Sequence, residues 1–281
     1  MTEAYLEATL QEGKEIWRFD APFDKALVAL REKGVEQPTA MHELANARTQ
    51  FGLDHSLNKN GSYCLHGFVY AKGVEPIIVR ISPLVSDREL AEQAVEANRN
   101  GRYFATPTKE LYDRFRAQAE KDKGNSPLER REIILPSRKN FQIQPGEETF
   151  EFLFEGGKEY LSHIGRSKLT VYLVNPSTID SQEGTLATQS WLHRIDNDSG
   201  VDGDDWNLSY YDAVRGVRIA EGDSGEASAQ KISNEEVEAR TYTTRQIETY
   251  RNILQGVRKG DLPASKLEQL IPIIESLPRK R

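Results

Sequence analysis

The chain has 281 residues, with 44 aspartates and glutamates against 37 lysines and arginines, a formal net charge of −7. That balance argues against a protein whose main task is coating nucleic acid. A single cysteine, Cys64, excludes both an intramolecular disulfide and a thiolate cluster around a structural metal.

Hydrophobic residues at 37% suffice for a chain of this length to bury a core. No run approaches ~20 consecutive apolar residues, so no membrane span is expected, and the glutamate-bearing start lacks the basic and apolar regions of a signal peptide. The chain reads as a protein kept in a reducing, cytoplasmic compartment, or as part of a particle assembled there, such as a virus.

Residues 1–37 read as a helical N-terminal extension, because Phe23 to Leu30 place apolar groups at helical spacing after Pro22. Thr39 then precedes a helix over 40–48, with Met41, Leu44, Ala45 and Ala47 as its buried stripe. Gly61–Tyr70 and Pro76–Ile81 are aromatic and β-branched runs around the Lys72-Gly73 turn, the pattern of a hairpin. Ser86 is an N-cap candidate for a helix over 86–98 that Gly101 stops, and another helix starts at Thr106-Pro107-Thr108. Strand character returns at 132–136, a short helix fits 158–164, and Leu169–Val174 is the best buried strand of the chain. Strands also fit 185–192 and 214–219, with a loop-rich stretch between them. Residues 221–243 read as a linker and 244–281 as a helical tail, in which 244–254 and 264–271 carry apolar residues three and four apart.

The stretch from Ser190 to Ala220 has an unusual alphabet. It holds six aspartates, two asparagines and three arginines, but no lysine, glutamate, glutamine or methionine. A plain solvated loop explains the glycines and aspartates and leaves the missing types unexplained. A calcium loop is the next candidate, since clustered short carboxylates are hard oxygen ligands. With Asp196 placed first, however, Val201 stands where an EF-hand needs its turning glycine and Asn207 where it needs a bidentate glutamate. A calcium-binding module of another kind, or a metal-dependent hydrolase, remains an alternative built on the cluster 196–205, with Asp202, Asp204 and Asp205 as ligands.

Several motifs together resemble the variable proteins of diversity-generating retroelements. They are Tyr172-Leu173-Val174-Asn175, Gln189-Ser190-Trp191-Leu192, Gly203, Trp206-Asn207-Leu208 and Val214-Arg215-Gly216-Val217-Arg218. Upstream, Glu43 to Arg48, Gly61 to Tyr70, Ile81-Ser82-Pro83-Leu84 and Ala97-Asn98-Arg99-Asn100-Gly101-Arg102 resemble the archaeal branch of that family. The resemblance spans roughly 38–219 and implies an α+β, C-type lectin-like domain over 38–220, of the subtype shared with formylglycine-generating enzymes, with its variable region at about 190–218.

In such systems template adenines are miscopied. Asparagine codons then become codons for a set of residues that excludes lysine, glutamate, glutamine, methionine and tryptophan, which matches this stretch apart from Trp191 and Trp206. The resemblance implies His193, Asp196, Asn197, Asp198, Ser199, Gly200, Asp202, Asp204, Asp205, Asn207, Ser209, Tyr210, Tyr211, Asp212 and Ala213 as diversified, ligand-binding positions. Trp191, Leu192, Gly203, Trp206, Leu208 and Gly216 to Arg218 are then scaffold. Tyr210 and Tyr211 suit contact anchors, giving large area at low rotamer entropy; the alternative for each is a half-buried strand position.

No catalytic residue, cofactor or metal is expected. The related enzymes use paired cysteines, whereas this chain has Cys64 alone, and His42, His55, His66, His163 and His193 lack ligand spacing, which leaves them capping, core or surface roles. The expected function is non-enzymatic ligand binding by a variable surface. A protein is the expected partner, because mixed tyrosine and short polar groups resemble a paratope more than a small-molecule pocket.

Overall fold

The computed structural model describes residues 4–195, 199–204, 208–210 and 212–219. The chain divides into two units, Met1–Asp223 and Ser224–Arg281, and every described residue belongs to the first. The expected linker at 221–243 and helical tail at 244–281 lie outside the described residues.

The described elements are β1 (Tyr5–Thr9), β2 (Lys14–Ala21), α1 (Phe23–Glu32), α2 (Met41–Thr49), α3 (Ser56–Lys59), β3 (Ser62–Ala71), β4 (Ile77–Val79), α4 (Pro83–Ser86), α5 (Arg88–Arg99) and α6 (Glu110–Lys121). They continue with β5 (Glu132–Ile134), β6 (Phe141–Ile143), α7 (Glu148–Phe154), α8 (Lys158–His163), β7 (Leu169–Tyr172), α9 (Pro176–Asp180), β8 (Thr185–Leu192), β9 (Gly200–Asp202) and β10 (Asp212–Ile219). The strands form one mixed sheet in the order β1-β2-β10-β3-β8-β9-β7-β6, with β4 and β5 branching from β3. The pairs are antiparallel except β10 with β3 and β7 with β9.

β3 runs through the middle of this sheet and is buried along its whole length. Its side chains alternate between faces, as a strand requires. Tyr63 and Leu65 join the core beneath α1, α4 and α5, whereas Cys64, Phe68 and Tyr70 join the one that α2, α7 and α8 enclose. The β3–β8 register shifts between Tyr63 and Gly67. There Gln189 Nε2 donates to the carbonyls of Cys64 and His66, and Ser190 Oγ to His66 O at 2.7 Å, so side chains replace the lost ladder bonds.

The N-terminal segment corrects the expectation of a helical extension. α1 forms where the periodicity places a helix, and it buries Phe23, Ala26, Leu27 and Leu30. Residues 5–9 and 14–21, however, are strands. β2 pairs with β10 over eight residues, from Lys14 opposite Ile219 to Ala21 opposite Asp212, so the start of the chain belongs to the same sheet as the lectin-like domain expected over 38–220. Local composition does not announce these strands: β1 pairs with β2, and β2 in turn rests on β10, some two hundred residues on.

A smaller correction concerns α5. Ser86 closes α4, and Asp87 caps α5 by accepting from the N–H groups of Glu89 at 2.9 Å and Leu90 at 3.2 Å. Gly101 ends that helix with φ +68, a conformation that favours glycine.

A buried ion group joins β1, β2 and β10. Arg215 is fully buried and lies opposite Arg18. Both guanidiniums turn to Glu7, at 2.5 Å from Arg215 Nε and 3.2 Å from Arg18 Nη1, and Arg215 Nη1 also donates to Gly61 O at 2.6 Å. Burial alone would raise the Glu7 carboxyl, but the hydrogen bond and charge of Arg215, with a further contribution from Arg18, hold it at about 2 against an ordinary 4.5.

An acid whose folded pKa is depressed contributes stability that is complete above 4.5 and is lost as pH falls towards 2. Glu7→Gln is expected to cost about 3–5 kcal/mol at neutral pH, since it strips the charge partner from a buried arginine. It should also remove this share of the acid-limb slope, and urea titrations of both proteins between pH 7 and 2 check both expectations.

Candidate binding face

The stretch with the biased alphabet runs from the end of β8 through β9 to the start of β10. β9 sits between β8 and β7, with Val201 opposite both Leu192 and Val171. In the two connections around it, the described residues His193, Ile195, Gly203 and Leu208 are held through main-chain atoms.

At the first connection, Arg48 from α2 reaches His193 O at 2.6 Å. The same guanidinium donates to Leu57 O at 2.8 Å, Asn60 O at 2.7 Å and the Tyr160 hydroxyl at 3.1 Å. Ile195 N–H donates to Asn58 O at 2.8 Å, and His193 N–H to Gly200 O at 3.0 Å. At the second connection, Gly203 O accepts from the hydroxyls of Tyr70 at 2.9 Å and Thr188, while Gly203 N–H donates to Tyr172 O at 2.8 Å. Farther along, Leu208 N–H donates to the Asn98 side chain at 3.0 Å, and Leu208 O accepts from Phe23 N–H at 2.8 Å.

Steric constraints act at the same points. A Cβ on Gly203 would meet Phe68 at 2.7 Å and the Tyr70 hydroxyl at 2.8 Å. On Gly216 it would meet Val35 at 2.0 Å. Leu192 and Leu208 are buried, and the Trp191 indole covers Gly61 and meets Tyr63 edge-on, with ring centroids 4.8 Å apart. These are the residues named above as scaffold, and they are buried or half-buried; Trp206 lies outside the described residues.

Among the described residues, six of the expected ligand-binding positions reach the surface in whole or part. Tyr210 is 57% exposed, and His193, Asp202, Asp204, Ser209 and Asp212 are half-buried. His193 stacks on Tyr172 with ring centroids 5.3 Å apart, and its Nε2 lies 3.6 Å from Asp202 Oδ2. Asp202 Oδ1 accepts the Asp204 N–H at 2.6 Å, and the Tyr103 hydroxyl donates to Asp204 Oδ1. Burial pushes the Asp204 carboxyl above its ordinary range; the Tyr103 bond opposes this and the neighbouring Asp202 adds to it. Burial, aided by Asp20, does the same to Asp212.

Three expected positions are not on that face. Ser199 is buried with its hydroxyl on Arg194 O at 3.2 Å, Ala213 is buried within β10, and Gly200 lies against β7 so closely that a Cβ would stand 2.4 Å from Thr170 O. A diversified residue at Gly200 would crowd the parallel β7–β9 pair. Asp196, Asn197, Asp198, Asp205, Asn207 and Tyr211 lie outside the described residues.

Asp202 and Asp204, named for the alternative metal chemistry, each accept a hydrogen bond from the protein, and Asp205 lies outside the described residues. Among the described residues no three His, Cys, Asp or Glu side chains converge on a point that could hold a metal ion. The histidines are dispersed. His55 caps α3 and stacks on Phe51, His42 faces Glu155 at 3.4 Å, His163 neighbours Asn58, and buried His66 meets Phe152 edge-on. Burial pushes the Cys64 thiol up to about 12, which leaves no thiolate for nucleophilic chemistry at neutral pH.

Sequence reasoning assigned no role to Arg48, Asn98 or Tyr103, although the first two fall within motifs that carry the family resemblance. A lone arginine on a helix reads as surface charge, and only the fold reveals a buried one collecting carbonyls.

No protein-family model and no curated protein matches this chain. Among solved structures, a protein described by the words "Accommodation of massive sequence variation in Nanoarchaeota by the C-type lectin fold" is similar over 74% of this chain and 99% of that one, at 14% identity and a TM-score of 0.49.

The anchoring geometry predicts a sharp contrast among single variants. Arg48→Met, which strands three main-chain carbonyls, one buried and two part-buried, should cost about 3 kcal/mol or more, and Gly200→Ala should cost about 1–3 kcal/mol from overpacking. Tyr210→Ala should stay within about 0.5 kcal/mol of the parent, as a surface change does. Chemical denaturation of the three variants checks this. Native protein should also resist maleimide labelling at Cys64 until it is unfolded.

Proposed function

We propose that this chain is a non-enzymatic ligand-binding protein of the C-type lectin-like, formylglycine-generating-enzyme-related fold, whose face over 193–212 is rewritten by a diversity-generating retroelement. The observation that carries this reading is the mode of anchoring. His193, Ile195, Gly203 and Leu208 are fixed through their N–H and C=O groups, by Arg48, Asn58, Tyr70, Thr188, Tyr172, Asn98 and Phe23. Every residue but proline offers those same groups, so exchange of a side chain at an exposed position leaves the path of the chain intact.

On this reading the displayed set is His193, Asp202, Asp204, Ser209, Tyr210 and Asp212, together with the expected positions outside the described residues. Ser199, Gly200 and Ala213 serve as scaffold instead. The partner is a protein surface. Exposed Tyr210 supplies area with two rotatable angles, and short polar groups supply hydrogen bonds, the division of labour found in paratopes. Six aspartates against three arginines favour a basic partner for this particular sequence.

Sequencing the DNA around the gene tests the proposal. A reverse transcriptase gene should lie nearby with a near-copy of the segment encoding 190–218, and the two copies should differ at adenines of the template. A complete locus with neither would refute it.

A further inference from the structure

Beside the candidate face lies a groove of about 510 Å³, lined by Ala97, Arg102, Tyr103, Phe104, Ala105 and Gln182 among others. It is continuous with that face through Tyr103, whose hydroxyl bonds both the carboxylate and the main-chain carbonyl of Asp204. One wall of the groove is an unfinished strand. Residues 104–106 pair with the start of β8: Ala187 N–H donates to Phe104 O at 3.3 Å and Thr106 N–H to Thr185 O at 2.8 Å, which makes Ala105 and Leu186 a non-hydrogen-bonded antiparallel pair.

In such a pair the N–H and C=O of the central residue point away from the neighbouring strand. Ala105 therefore carries a donor and an acceptor on the outer edge, and neither has a hydrogen-bond partner among the described residues. An open edge of this kind is a template for one more strand.

We propose that this groove takes an extended segment of the partner polypeptide, which pairs its main chain with the N–H and C=O of Ala105 and continues the sheet beyond β8. Main-chain pairing supplies affinity without regard to the partner's sequence. The neighbouring exchangeable face then supplies discrimination, so one fixed contact serves every version of the face. The choice of a protein partner rests on the function proposed above; the strand edge does not.

A displayed library of random short linear peptides, selected on the full chain, provides the probe. Selected peptides should lose about tenfold or more in affinity on Ala105→Pro. That change deletes the free N–H, suits an edge position, and leaves the bonds of Phe104 and Thr106 in place. Methylation of single peptide nitrogens should abolish binding at one position only, the nitrogen that donates to Ala105 O, which keeps the test decisive even if the proline variant folds poorly. Selection that yields no binder, or binders indifferent to both changes, overturns the proposal.

Tyr210→Ala and Ser209→Ala separate the two readings. If they alter affinity while Ala105→Pro and peptide methylation do not, the strand edge fails and the exchangeable face stands. If methylation and Ala105→Pro matter while the face variants do not, the strand edge stands and the face reading fails.

Discussion

A buried guanidinium must have its donors satisfied, and the way Arg48 meets that demand shapes the rest of the candidate site. The side chain is fully shielded, and three of its four acceptors are main-chain carbonyls: Leu57, Asn60 and His193. One residue thereby ties α2 to α3, to the entry of β3 and to the exit of β8. An acid in place of those carbonyls would have fixed a particular partner residue. Carbonyls fix only the course of the chain, which is what a loop with replaceable side chains requires.

The second constraint closes the sheet. β10 is the last described strand, yet it lies inside the sheet, between β2 and β3. Its pairing with β3 is brief, and Thr39 bridges the two strands where they part, donating to Arg215 O at 2.8 Å and accepting from Leu65 N–H at 3.0 Å. Arg215, balanced by Glu7 from the edge strand β1, then locks the N-terminal strands over it. The start of the chain is thus a structural partner of the strand that follows the candidate face, so both ends of the 193–211 excursion rest on rigid sheet.

Much of this architecture was legible in local pattern. The buried stripe of α2, the amphipathic α5 with its glycine stop, and the apolar runs of β3, β8 and β10 all stand where periodicity places them. β1 and β2 did not, because β2 is fixed by pairing with distant β10 and β1 only adds to β2, and glutamate-bearing sequence such as Tyr5–Thr9 fits a helix equally well. The candidate face shows the same division. Its alphabet and its framework residues Leu192, Gly203 and Leu208 could be read in one dimension. The burial of Ser199, Gly200 and Ala213 could not, since β7 reads as a strand but nothing in the sequence shows that Gly200 pairs with it, or that Ala213 pairs with β2.

The central claim is that the described residues of 193–212 are held by their main chain and by a few packed positions, leaving the exposed side chains free to change. Its most direct measurement is a saturation scan of 190–218 in the full chain, with the stability of every variant read by protection from proteolysis. The account predicts near-complete tolerance at His193, Asp204, Ser209 and Tyr210 for every residue except proline, and sharp intolerance at Leu192, Gly200, Gly203, Leu208 and Gly216. A profile in which the exposed positions prove as restrictive as the buried ones would contradict it.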